Sequence, residues 1–414
     1  MKNRWFRRAL VITALVGLFF GLRACFAGND LATREPPEKI DAELTLNAVT
    51  LEQPDEDGKL LWRLKAKSVN YVPDTQRAEL VELEGEFFQD GEAVYTIEAD
   101  EGEVLQNGDQ LFLRGNLIAK GTENELTLEG EKLKWLPRKD LLVMGEFEDD
   151  ISGDDLPSEA ALEPGEATTP LDIDNAPVTG FNPQIKTVAR LIRVNNRKNE
   201  VELLGDVLAE SKASPWITFE STSLLWLTQQ QLIKANQSLK VEQFASDAYQ
   251  TVTDRIVGQE GEVDLAENTV TLDQAVTVES LTQPLIVESQ QAIWDVDAEM
   301  VEMNSPVNIE QPSRQVTAQA KQASLDLAGE VVYLTGSVRA YGEENDSRLA
   351  ADSVTWQTQT QQVEAIGNVQ YQQAADPDIA ISGPRAVGDI EAGTLVIEGG
   401  ASADVVTEIM LDDF

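Results

Sequence analysis

A short phrase returns along this chain: a strand of alternating apolar and polar residues with a small residue at its middle. LFLRGNLIA around Gly115, VELLGDVLA around Gly205, VYLTGSVRA around Gly336 and VEAIGNVQY around Gly367 are examples. Setting the central position in register gives Gly85, Gly115, Gly145, Gly205, Asn236, Gln274, Ser305, Gly336, Gly367 and Gly399. Most successive gaps are about 30–32 residues, a period that marks repeat architectures. Two gaps depart from it. The 60 residues from Gly145 to Gly205 predict one missing copy, and the 38 from Asn236 to Gln274 predict a longer loop.

A companion strand precedes most centres, as in KLKWL at Trp135, LLWL at Trp226, AIWDV at Trp294 and SVTWQ at Trp356. Polar turns such as Asn107-Gly108-Asp109 join the two, so each unit reads as a hairpin. Parity assigns the faces. Leu111, Leu113, Gly115, Leu117 and Ala119 share one side, and Arg114, Asn116 and Lys120 the other. Glycine in the inward row predicts sharp bending, or room for something to approach the backbone. Helical periodicity is nearly absent after Ala27.

Between Glu146 and Gln184 the pattern stops in an acidic stretch rich in Pro, Ala and Thr, expected of a linker or long loop. The predicted organisation is an N-terminal segment (1–28), a spacer (29–43), a first β segment (44–150), the linker (151–185) and a second β segment (186–410).

Composition removes most catalytic chemistry. There is no histidine, which eliminates Ser-His-Asp and Cys-His activation and histidine metal sites. Cys25 is the one cysteine, so no intramolecular disulfide can form. Against 32 basic residues stand 73 acidic ones, a net charge of −41 that repels nucleic acid and anionic membrane surfaces. The acids fall evenly along strands and read as a solvated face, without a calcium-loop pattern or a pair marked out for glycoside hydrolysis. No enzyme, cofactor or metal site is predicted.

Lys2, Arg4, Arg7 and Arg8 precede an apolar run from Ala9 to Leu22, which predicts that the rest of the chain lies outside the inner membrane. The run is open to three readings: an uncleaved span, a signal segment that is removed, or a lipoprotein signal with Cys25 as the lipidated residue, although Arg23 fits a lipobox badly.

The stretch LTLNAVTLEQPDEDGKLLWRLKAKSVNYVPDTQRAEL, Leu44 to Leu80, is similar to the opening of the LptC family, the inner-membrane component of lipopolysaccharide export. The W-R-L-K-A and Y-x-P-D-T motifs are its most specific part. The glycine-centred units resemble the OstA-type repeats of the soluble bridge protein LptA. This chain is about twice the usual length for the family. The resemblance implies an all-β protein: a membrane anchor followed by two open β-jellyroll segments whose interior holds acyl chains. Its implied partners are lipopolysaccharide, the inner-membrane Lpt ABC transporter and an LptA-like bridge protein.

With parity, the resemblance nominates a lipid-binding groove. In the first segment it comprises Trp62, Leu64, Leu83, Phe87, Tyr95, Ile97, Leu111, Leu113, Leu117, Leu133, Trp135, Val143 and Phe147. In the second it comprises Leu203, Val207, Trp226, Leu272, Val276, Val307, Leu334, Val338, Ala365, Val369, Leu395 and Ile397. Each of these residues would equally suit a dry core between sheets, which leaves an envelope scaffold as the rival.

Overall fold

The computed structural model describes residues 44–72, 77–105, 108–122, 125–147, 177–398 except 283, 345, 375–378, 391 and 393, and 407–410. The anticipated anchor and Cys25 lie outside the described residues. Within them the chain is all-β, interrupted only by turns and single 3₁₀ turns. No helix among the described residues is long and apolar enough to cross a membrane.

Six strands form an opening antiparallel meander: β1 (Leu44–Pro54), β2 (Leu60–Val72), β3 (Arg77–Gln89), β4 (Glu92–Leu105), β5 (Gln110–Gly121) and β6 (Thr127–Leu136). The next rung is split. β7 (Leu141–Gly145) pairs with one arm of β6 and β8 (Val178–Phe181) with the other. The returning rung is split too, into β9 (Ile185–Ala189) and β10 (Leu191–Asn195), which bond opposite arms of the long strand β11 (Glu200–Ser211).

The order long, long, split, split then recurs. After β11 come the long β12 (Trp216–Leu227), the half-strands β13 (Leu232–Ala235) and β14 (Leu239–Phe244), and the half-strands β15 (Val252–Gly258) and β16 (Glu260–Asp264). The long β17 (Thr269–Ser280) and β18 (Leu285–Asp295) precede β19 (Met300–Met303) with β20 (Val307–Gln311), and β21 (Val316–Ala320) with β22 (Gln322–Asp326). Four long strands follow: β23 (Val331–Gly342), β24 (Ser347–Gln357), β25 (Gln362–Gln373) and β26 (Ile379–Asp389). The shorter β27 (Thr394–Glu398) and β28 (Thr407–Met410) end a single hydrogen-bonded sheet, of 28 strands among the described residues.

This order corrects the missing copy. Between β19 and β20 the split rung is bridged by 3 residues, but between β7 and β8 by 32. Taking those 29 extra residues from the 60-residue gap leaves 31, the ordinary period. The acidic stretch is therefore inserted at the break of one rung, and no hairpin is lost. Ladder bonds run across it, from β7 to β10 and from β6 to β8. The 38-residue gap does contain a longer connection, residues 245–251 between β14 and β15.

Eight of the ten central positions fall into two kinds; Gly85 sits in the regular ladder of β3, and Gly399 lies outside the described residues. Gly145, Asn236 and Ser305 end or break split rungs. Gly115, Gly205, Gln274, Gly336 and Gly367 each begin a two-residue bulge, in which the next residue (Asn116, Asp206, Ala275, Ser337 or Asn368) also has positive φ. A bulge bends the strand. Each bulge adds one residue relative to the partner strand, so the inward row keeps even spacing on the bulged strand, as from Leu334 to Val338, and slips by one on the partner, from Val354 to Ala351. The glycines do not make room in the interior, however. A Cβ at Gly336 or Gly367 would press on the side chain of Lys321 or Asp352 in the neighbouring rung.

Opposite three of these bulges, the residue between two half-strands donates its amide to both bulge carbonyls. Arg190 reaches Leu204 and Gly205, Gln259 reaches Asp273 and Gln274, and Lys321 reaches Thr335 and Gly336, each at 3.1 Å. Hairpin turns also stack. The amides of Thr228, Leu265, Val296, Leu327, Thr358 and Ile390 donate to the carbonyls of Asn199, Gln231, Asn268, Glu299, Glu330 and Gln361 at 2.8–3.0 Å. Each acceptor has positive φ, which turns its carbonyl toward the next rung. Backbone polarity is thereby satisfied where the strands stop.

The outward face explains the acidity. Arg63, Arg255 and Arg385 each bridge a glutamate on the strand before and one on the strand after: Glu52 and Glu86, Glu242 and Glu279, Glu364 and Glu398. Two acids per base across three strands give a negative surface without local repulsion.

Candidate lipid-binding groove

The inward row forms one contiguous apolar cluster that follows the ladder from β2 to β27. It contains Trp62, Leu64, Leu83, Phe87, Tyr95, Ile97, Leu111, Leu113, Leu117, Leu133, Trp135, Leu203, Val207, Leu272, Val276, Val307, Leu334, Val338, Ala365, Val369 and Ile397. Trp226 and Leu395 pack against it half-buried.

Val143 and Phe147 do not join it. They lie on the opposite face with Leu136, Leu141, Leu191 and Leu204. Phe147 meets Phe112 edge-on at 5.8 Å, and the Arg114 guanidinium covers Phe112 at 4.2 Å. The reason is local. β7 reads Leu141-Leu142-Val143-Met144, apolar on both faces, so alternation gives no parity. The inward members are Leu142 and Met144.

Packing differs along the row. Toward the N-terminal end Leu64, Phe87, Leu111, Leu113, Leu133 and Trp135 are each 0% exposed, and Phe87 stacks on Trp135 at 4.9 Å with the rings 7° apart. Contact of that kind leaves no free channel. Near the middle, Leu126, Leu128, Phe181, Ile192 and Trp226 line an apolar cavity of ≈ 50 Å³. At the C-terminal end the row opens into a cavity of ≈ 430 Å³, walled by Val316, Ala318, Leu334, Val338, Leu349 and Trp356 among others. Ser313 and Arg314, from the 3₁₀ turn after β20, also border it.

Several wall residues escaped the sequence reading, among them Leu128, Ile192, Val316, Ala318 and Leu349. All but Leu128 and Leu349 lie on half-strands of 5 residues, too short for alternation to be counted. Their signal is the partner strand: Ala318 faces Ala340 and Ile309.

The tryptophans have separate electrostatic roles. Trp62 donates its indole N–H to the Gly108 carbonyl at 2.9 Å. In Trp135, Trp226, Trp294 and Trp356 the indole nitrogen is buried without a hydrogen-bond partner. Asp254 shares inward parity with Ile256. Burial pushes its carboxyl above the usual range, and Thr253 and Ser280 offset this in part. Among the described residues no cluster of acids is arranged to hold a metal ion.

Residues 9–143 match the family described as Lipopolysaccharide-assembly, LptC-related. That match covers about a third of the chain, and over it the chain is similar to the LptC-related family. The matched stretch ends inside β7, whose hydrogen bonds to β10 carry the same sheet onward. No curated protein matches the chain closely enough to count as a relative.

Proposed function

We propose that the protein is a lipid carrier of the lipopolysaccharide export bridge, anchored in the inner membrane with most of its chain in the periplasm. It takes lipopolysaccharide from an inner-membrane ABC transporter and passes the acyl chains along its inward row to an LptA-like partner. The family match over residues 9–143 supports the cargo, and the contiguous apolar row that opens into a cavity at its C-terminal end supports the path. Each methylene kept from water is worth about 0.8 kcal/mol, so a continuous apolar wall lowers the barrier to sliding. Charged headgroups stay in solvent, and ATP hydrolysis in the transporter supplies direction. The observation that carries this reading is the cavity of ≈ 430 Å³ where the row ends, lined by residues that parity nominated: Leu334, Val338 and Leu395.

In this reading the β segments before and after the acidic insertion act as one path, since ladder bonds join them. The edge strand β1 faces the transporter, and the last strands face the LptA-like partner. Photocrosslinkers at Leu83, Leu334 and Val338, tested in membranes, should label lipopolysaccharide. Labelling confined to the outward Arg114 and Arg339 would overturn the proposal.

The stacked Phe87–Trp135 pair favours a second reading, an envelope scaffold with a dry core. Such a protein, purified gently, carries no acyl chains. Release of bound lipid on extraction separates the two.

A further inference from the structure

The outward face of the sheet changes character over one stretch. Phe112 on β5, Leu136 on β6, Val143 on β7, Leu191 on β10 and Leu204 on β11 point away from the inward row, yet they are only 0–6% exposed. Tyr333, Ile366 and Val387, outward on later strands, are 41%, 48% and 37% exposed. The outer face of an antiparallel sheet is ordinarily solvated, so burial this complete calls for a further layer. The charge changes as well. Arg114, Lys132, Lys134 and Arg193 border these apolar side chains, on a molecule whose other outward bases are outnumbered by acids. Lys134 is 6% exposed, and its cross-strand neighbours are Phe112 and Val143. A buried ammonium is retained beside a counter-charge, which neither neighbour can supply.

We propose that this face is the docking surface of the chain's own acidic segment, residues 148–176. The segment carries ten acidic side chains and no basic one, with Ile151, Leu156, Leu162, Leu171 and Ile173 spaced among them. It departs from this face: Phe147 packs on the apolar cluster, and its carbonyl lies 3.5 Å from Lys132 Nζ. From β5 to β11 the face is five strands wide, about 20 Å at the usual strand spacing. An extended chain covers about 3.3 Å per residue, so the segment is long enough to cross the face and return to Val178. Outer faces with two acids per base repel it, which directs it here. A separate acidic partner, or a second copy, would have to displace a segment tethered at both ends, whose effective concentration is about millimolar. The proposal is independent of the carrier reading, because the face lies opposite the inward row. Removing the segment leaves the ladder bonds in place but uncovers the patch, which offsets the entropy gained from a shorter connection.

The test is zero-length carbodiimide cross-linking of the full chain, read by peptide mass spectrometry on an equal mixture of ¹⁵N-labelled and unlabelled protein. Carboxylates within 148–176 should link to Lys132 or Lys134 at least tenfold more often than to Lys212 or Lys240, and within one isotope. Mixed-isotope links as frequent as single-isotope ones would put a second copy on the face and overturn the proposal. Carboxylates that favour no lysine would overturn it too. Hydrogen exchange gives a second readout that needs no variant. Amides of 148–176 should exchange at least tenfold more slowly in the chain than in a synthetic peptide of that sequence, and 1 M salt should reduce the protection several-fold. Exchange at the peptide's rate, or protection indifferent to salt, would overturn docking directed by charge.

Discussion

The side-chain amide of Asn116 donates to Asp100 Oδ2 at 2.7 Å, and at the other end of the ladder Asn368 bonds Asp352 in the same way at 2.8 Å. In both pairs the partners are sixteen residues apart, one rung. Arg190 and Asp206 occupy the same relation with an ion pair, and Ser289 and Ser305 share hydroxyls at 2.7 Å. At Asn116, Asp206 and Asn368 the bend is thus a polar seam on the outside of the sheet whose geometry depends on positive φ at two successive residues, whereas Ser289 is buried.

That dependence gives a pair of substitutions with opposite signs. Gly336 sits at φ 86, where an L side chain is strained, so Gly336→Ala should cost about 1–2 kcal/mol or more. Gln274 holds the equivalent place at φ 62 with a side chain, so Gln274→Gly should relieve strain and stabilise by about 1 kcal/mol. Urea denaturation midpoints decide. If both changes destabilise, the two positions are not equivalent bends.

The rung-break position of the insertion predicts that it can be shortened. Joining Phe147 to Val178 through three residues copied from Asn236-Gln237-Ser238 should leave the sheet intact: with Glu146 and Phe147 the bridge from β7 to β8 is then five residues, and β13 and β14 are bridged by three. Loop-closure entropy grows slowly with length, so the gain should be no more than about 2 kcal/mol. Circular dichroism and thermal melting report the result. A shortened chain that fails to fold would show that residues 148–177 do more than connect.

Legibility in the sequence followed local chemistry. Alternation through Leu111, Leu113, Leu117 and Ala119 identified the inward face because the one-residue register shift is taken up on the partner strand, leaving even spacing on the bulged one. The second bulge residue, such as Asn116 or Ser337, was invisible because its φ leaves no compositional mark. Stacked turns at Asn199, Glu299 and Glu330 were hidden for the same reason: residues other than glycine hold the left-handed positions there. Val143 was misplaced because its strand is apolar on both faces, and the supposed missing copy came from counting residues where the ladder counts rungs.

Asp254 carries a pH dependence. Burial raises its folded carboxyl pKa, with Glu299 and Glu330 adding to the shift. A carboxyl with a raised folded pKa suits the fold when protonated, so its penalty is absent below the unfolded value and grows as pH rises through the folded one. Asp254→Asn should therefore stabilise the protein at pH 7 and have no such effect near pH 3. Guanidinium titrations at the two pH values check the sign, and an equal gain at both would rule out ionisation as the cause.

The three bridging arginines should be unequal. Arg255 pairs with Glu242, whose side chain is 8% exposed, so Arg255→Ala leaves a desolvated carboxylate with only Lys240 near it. The loss should be about 1.5–3 kcal/mol, the range for hydrogen bonds to charged groups. Arg385 holds Glu364 and Glu398, both well exposed, and its removal should be close to silent. Comparable losses from both variants would mean that exposure does not set the value of these bridges.

Filling the C-terminal cavity separates folding from transport. Ala318 and Ala340 face each other across β21 and β23 and line the space of ≈ 430 Å³. Enlarging a residue in a packed core usually costs about 1–3 kcal/mol through strain, but here the added methylenes enter open volume. Ala318→Leu should therefore melt at or above the wild-type temperature. The same change should weaken acyl-chain binding and remove lipopolysaccharide labelling from Leu334, while labelling from Leu83 at the other end is reduced less. Phe87→Ala is the contrasting case: its ring is fully buried against Trp135, and truncation should cost about 3–5 kcal/mol. If Ala318→Leu destabilises as Phe87→Ala does, the cavity is not free space. If it leaves lipid labelling unchanged, the acyl chain travels elsewhere along the row.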